Sequence, residues 1–261
     1  MHTVTIEAAD GLRLKADEWG DPSQPAVLMC HGAGQNRYAW KSSAELLSQQ
    51  GWFVVTLDAR GHGDSDWSFE QRYDTEDLGR DIIAVLNRFQ TPPAIVGASM
   101  GGMASLAAQR ASEHQLFAAV ILVDITPHFD MEGASKIIGF MSANPDGFAS
   151  LEEAADIISA YNPHRERPTD PSGLSRVLQQ RPDGRWIWKW DPTYVTSKPG
   201  FDSANKAALA THMQRVSRTM TEGMLATTAP ILLVRGSQSE LVTPEAVQGF
   251  LELVLDAEFV D

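Results

Sequence analysis

Gly97-Ala98-Ser99-Met100-Gly101 stands between the apolar run Ala94 to Val96 and a helix-prone stretch running from Met100 to about Ala111. A serine at such a junction sits on a sharp strand-to-helix turn. Glycines two residues to either side remove the Cβ atoms that would collide in so tight a bend. The turn lifts the hydroxyl clear of the sheet and aims the start of the following helix at any negative charge that develops beside it. Ser99 is therefore the candidate nucleophile. The plain alternative, a small-residue turn before a helix, is weighed against the rest of the chain.

Outward from this turn, apolar runs alternate with helical patterns. Ala26 to Cys30, Phe53 to Leu57, Ala118 to Val123 and Ile231 to Val234 read as strands, and Ala39 to Gln50, Thr75 to Phe89 and Pro244 to Leu255 as helices. Continuous apolar strands are buried on both faces, and helices between them make the sheet mainly parallel. Thr3 to Glu7 and Leu12 to Trp19 alternate instead, across Asp10-Gly11, and read as an antiparallel hairpin. The rhythm stops between Pro127 and about Thr228, where helical stretches at Ser150 to Ala160 and Ala204 to Met224 flank the tryptophan-rich Arg181 to Pro192. The expected architecture is an α/β core formed by residues 1–126 and 229–261, with a helical lid, 127–228, inserted after the sixth strand. Open parallel sheets bind ligands beyond their carboxyl ends, under such a lid.

With 261 residues, 43% of them hydrophobic and 21% charged, the chain suits one globular domain with an insertion. A formal charge of −13 argues against nucleic acid as a partner. The N-terminus lacks a signal-peptide pattern, and no window approaches the ~18 apolar residues of a membrane span, so a cytoplasmic location is expected. The single cysteine, Cys30, ends an apolar run and reads as a buried small hydrophobe.

His31-Gly32-Ala33-Gly34 follows the first parallel strand and can carry a backbone N–H to the serine. An attacked acyl carbonyl gains negative charge on oxygen, and a preplaced donor is worth roughly 3 to 4 kcal/mol there. The N–H groups of Met100 and Ala33 are the candidates. A dinucleotide fingerprint fails because its third glycine would fall at Arg37. No phosphate-binding loop or zinc motif occurs, and no cofactor or metal is expected.

These motifs, with Asp58-Ala59-Arg60-Gly61-His62-Gly63-Asp64-Ser65 between them, stand in the order shown by the α/β-hydrolases. From Val4 onward the chain resembles the lidded bacterial esterases and the cofactor-free haloperoxidase or perhydrolase relatives. Asp124-Ile125-Thr126-Pro127 and, in the lid, Asp183-Gly184-Arg185-Trp186 and Trp190-Asp191-Pro192 are similar to features of the esterase branch. Serine rather than aspartate at position 99 speaks against epoxide hydrolases and dehalogenases.

The resemblance implies an acyl-enzyme on Ser99, a carboxylate that orients a histidine, and a histidine base late in the chain. Glu240, the carboxylate of the loop after Ile231 to Val234, and Asp124, at the tip of the preceding core strand, are the two candidate acids. None of the seven histidines follows Glu240. Ala257 to Val260 reads as the start of the last strand, so this reading puts the base, with the rest of that strand and the final helix, beyond Asp261; a naturally shortened homologue is the alternative. The reading gives His31 and His62 loop-shaping roles; His31, Gly32, His128, Trp186 and Trp188 are expected at the substrate pocket, together with the methionines Met100, Met103, Met131 and Met141. The activity implied is hydrolysis of a small or medium carboxylic ester or a related acyl compound. Acyl transfer to peroxide and non-catalytic binding of a small ligand are the alternatives.

Overall fold

In the computed structural model, which describes residues 1–164, 166–196 and 206–261, every residue of the strand Phe53–Leu57 is buried. That is the burial expected of a strand covered on both faces. The main sheet has eight strands: β1 (His2–Glu7), β2 (Arg13–Trp19), β3 (Ala26–Cys30), β4 (Phe53–Leu57), β5 (Ala94–Ala98), β6 (Ala119–Val123), β9 (Ile231–Val234) and β10 (Glu258–Val260). Their spatial order is β1-β2-β4-β3-β5-β6-β9-β10. From β4 to β10 neighbours run parallel, while β1 and β2 form the antiparallel hairpin and β2 joins β4 antiparallel. The fold is therefore the mainly parallel α/β architecture with an N-terminal hairpin that the sequence predicts.

Helices α1 (Lys41–Gln49), α2 (Thr75–Leu86), α3 (Met100–Arg110) and α8 (Pro244–Leu253) connect core strands. Their starts are chemically marked. Asp74 and Asp77 form a capping box on α2, and Thr243 caps α8, with Pro244 in its first turn. Because the chain turns from β3 to β4 in one direction and reaches β5 in the other, a crevice opens beyond the ends of β3 and β5. Cys30 lies opposite Gly97 in that pair, which brings the loop after Cys30 beside the turn at Ser99.

Between β6 and β9 lie α4 (Met131–Ser142), α5 (Leu151–Tyr161), β7 (Leu178–Gln180), β8 (Trp186–Trp188), α6 (Thr193–Thr196) and α7 (Lys206–Leu225). Ala204, where the sequence places the start of the last helix, lies outside the described residues. The inserted segment is not wholly helical: β7 and β8 pair antiparallel across Asp183-Gly184, with Gly184 at φ +85°. Three-residue strands are too short to read from periodicity. Two backbone bonds pin this segment to the core, Gly63 N–H to Lys189 O at 2.7 Å and Asp191 N–H to Gly61 O at 2.8 Å. Helix α7 lies so close to α3 that a Cβ on Gly223 would stand 2.1 Å from Leu106 O. Among the described residues no helix is long and apolar enough to cross a membrane.

Candidate active site

Ser99 occupies the left-handed region at φ +43°, between the end of β5 and the first residue of α3. A non-glycine residue held there stores roughly 1–3 kcal/mol, which the surrounding contacts must sustain. Those contacts are tight: a Cβ on Gly97 would lie 2.6 Å from Gly102 Cα, and one on Gly101 would lie 2.4 Å from Cys30 O. The two glycines are thus required by close approach, as the motif implies. Ser99 N–H donates to Val123 O at 3.0 Å, tying the turn to the tip of β6. The N–H of Met100 belongs to the first turn of α3, where amides have no carbonyl partner within the helix.

The facing loop is braced by two histidines. Ala59 N–H donates to His31 Nε2 at 3.1 Å, so Nε2 is the acceptor, and Nδ1–H donates to Gly32 O at 2.8 Å. His62 repeats the arrangement, accepting from Gly34 N–H at 3.2 Å and donating to Arg60 O at 3.1 Å. The bonds give both rings the loop-shaping role, with both nitrogens committed to backbone. Below them Arg37 is buried among Asp17, Asp58 and Asp64, while Asp58 also accepts from the backbone N–H of Arg37 at 2.6 Å and of Asp64 at 2.8 Å. This ion network, unmarked in the motif reading, fixes the 31–37 loop against the 58–65 loop.

Burial holds the His31 imidazole below its ordinary value, against a smaller upward pull from the Asp58 carboxylate. The unfolded chain therefore takes up this proton first, at about pH 6.5, and the stability from the neutral ring is lost as pH falls from there through the folded value. Urea unfolding across that range should show a steeper acid loss for the native protein than for His31→Gln, by up to about 1.4 kcal/mol per pH unit. Parallel curves would contradict it. Burial also pushes the Cys30 thiol up to about 12, which leaves it without a nucleophilic role at neutral pH.

A cavity of about 410 Å³ opens above Ser99 and Ala33. Its walls come from α4, through Ala134, Ile137, Ile138 and Met141, and from α7, through Leu209, His212, Met213 and Val216. Both sets follow helical spacing along one face. Met103, Thr75, Leu78 and Tyr194 complete much of the lining. Of the pocket residues expected from sequence, Met103 and Met141 line it, whereas His31, Gly32, Met100, His128, Met131, Trp186 and Trp188 do not. His31 is spent on the loop, and a Cβ on Gly32 would lie 3.4 Å from Gln35 Oε1 and 3.6 Å from Ser99 Cβ, close against the nucleophile. His128 is exposed, with Nδ1 3.3 Å from Ser217 Oγ. The two tryptophans pack within the inserted segment, Trp188 edge-on to Phe148 at 5.4 Å.

The two candidate acids differ sharply. Glu240 is exposed and pairs with Lys136 of α4 at 3.0 Å. Asp124 follows β6, where Ala98 stands opposite Val123, so Ser99 and Asp124 leave neighbouring strands at the same level. Its backbone is left-handed at φ +54°, and its Oδ1 is buried with no hydrogen-bond partner among the described residues. A strained, acceptor-only oxygen of this kind calls for a donor, and an imidazole N–H would supply one.

Comparison with known proteins bears on the family and the fold. Residues 25–253 match the family described as alpha/beta hydrolase fold. An esterase of Mycobacterium tuberculosis is 26% identical over 247 residues, 92% of this chain and 75% of its own length. A 2-(acetamidomethylene)succinate hydrolase of Mesorhizobium japonicum is 26% identical over 226 residues, 86% of this chain and 75% of its own. The crystal structure of an E-2-(acetamidomethylene)succinate hydrolase superposes with a TM-score of 0.78 at 22% identity, covering 99% of this chain and 90% of that one.

Proposed function

The chain belongs to the α/β-hydrolase fold family, and on that premise we propose that it is a serine hydrolase of small or medium carboxylic esters. Ser99 Oγ attacks the ester carbonyl, the N–H groups of Met100 and Ala33 receive the oxyanion, the alcohol leaves, and water then releases the acid from the acyl-serine. The observation that carries this reading is the strained Ser99 turn opening into an apolar cavity beside the Ala33 loop. The esterase and hydrolase activities of the relatives support the reaction class.

Asp124 is the proposed acid, orienting the histidine that moves the protons; in the family order that histidine follows the strand at the place of β10. His31 and His62 are committed to backbone, and His128 stands exposed against Ser217, so none of these is assigned the role. The protein is expected to hydrolyse p-nitrophenyl acetate and butyrate without added cofactor. Bromination of monochlorodimedone that requires both peroxide and a carboxylic acid, with no ester hydrolysis, would move the assignment to acyl transfer onto peroxide. Saturable ester binding without turnover would make the protein a binding homologue.

A further inference from the structure

Gln35 closes the loop that carries the Ala33 N–H. Its backbone N–H donates to Gly32 O at 3.1 Å, making residues 32–35 a tight turn, and Gly34 takes the positive φ, +75°, that such a turn asks of its third residue. The Gln35 side chain folds back over the same turn, with Oε1 accepting from Gly32 N–H at 3.2 Å. Gly32 O accepts a second bond from His31 Nδ1–H at 2.8 Å, and Gly34 N–H is spent on His62. Of the N–H groups of Gly32, Ala33 and Gly34, that of Ala33 is the one without a hydrogen-bond partner among the described residues.

Its direction follows from the peptide plane. The carbonyl and N–H of a trans peptide point opposite ways, and no peptide bond among the described residues is cis. Gly32 O is held inside the turn, so the Ala33 N–H of the same plane is turned out of it, in the cavity wall that Ala33 shares with Ser99. Gly32 has no Cβ, so its φ and ψ are free to rotate that plane unless its own polar groups are tied. Gln35 ties both, the N–H through its side chain and the carbonyl through its backbone. The amide also stands close to the nucleophile, since an atom at the Cβ position of Gly32 would touch both Gln35 Oε1 and Ser99 Cβ.

We propose that Gln35 is a positioning residue of the oxyanion site: by holding both polar groups of Gly32 it keeps the Ala33 N–H aimed at the substrate oxygen that becomes charged. This assignment rests on the acyl-transfer reading of Ser99. Gln35→Met keeps the length of the side chain and removes its acceptor. With p-nitrophenyl butyrate the variant is expected to lose about tenfold in kcat with KM within about twofold, since removing an oxyanion donor outright costs roughly 10²- to 10³-fold and misaiming one costs less. Inhibition by 1,1,1-trifluorohexan-2-one reads the same donor. Ser99 Oγ bonds to its carbonyl carbon, the carbonyl pair moves onto oxygen as an oxyanion, and the hydroxyl proton passes to the base. The ketone should inhibit the variant about tenfold more weakly, whereas 1,1,1-trifluorohexan-2-ol, which has a similar shape and forms no adduct, should compete equally with both proteins. Thermal unfolding should be unchanged, because Gln35 is exposed. Unchanged kcat and ketone inhibition, or an equal loss for ketone and alcohol, overturns the positioning role alone. A native protein that binds the alcohol but neither turns over ester nor prefers the ketone overturns the acyl-transfer reading and this proposal with it.

Discussion

Ser99→Ala should reduce ester turnover by at least about a thousandfold, because alanine leaves only binding and the oxyanion donors to act on the substrate. The same variant should fold normally. Alanine fits wherever serine does in this turn, and the contacts that hold it, Ser99 N–H to Val123 O and Met103 N–H to Ser99 O at 3.0 Å each, are made by backbone. Parallel measurements of kcat and thermal unfolding separate the two effects. Turnover retained by a folded variant would move the chemistry to another group.

Asp124→Asn is expected to separate activity from stability still more clearly. The replacement is isosteric, asparagine tolerates the left-handed backbone at φ +54°, and the buried Oδ1 has no described partner to lose. With no hydrogen bond to Oδ1 to break, the change should leave the unfolding midpoint close to that of the native protein. Catalysis should suffer, since an amide can favour the wrong imidazole tautomer and cannot stabilise the imidazolium; the analogous change in a serine protease costs about 10⁴ in kcat. KM should change little, because Asp124 is not assigned to the substrate. Glu240→Gln, which breaks only an exposed pair with Lys136, should leave kcat within about threefold. The opposite pattern would return the acid to the loop after β9.

The strand, turn and helix around Ser99 were legible because that geometry demands small residues at fixed places, and the close approaches at Gly97 and Gly101 show why. Strands β3, β4 and β9 appear with the bounds their apolar runs suggest. The choice between Asp124 and Glu240 was not legible, since both follow core strands and only burial and backbone strain distinguish them. The cavity wall was partly legible. Ala134, Ile137, Ile138 and Met141 have the spacing of a buried helix face, and so do Leu209, His212, Met213 and Val216, but spacing does not say whether such a face meets a core or a cavity. The alternating tryptophans point toward a pocket by composition, whereas their extended strand turns them into the inserted segment's own packing. The Arg37 network was hidden for a different reason: its three carboxylates come from β2, the end of β4 and the following loop, and meet only in the folded chain.

The most direct test of the central claim is peptide mass analysis of the protein quenched during reaction with p-nitrophenyl butyrate. A butyryl group on the peptide containing Ser99, absent from Ser99→Ala, is the predicted result. Turnover with no acylated Ser99, or with the acyl group on another residue, would contradict it.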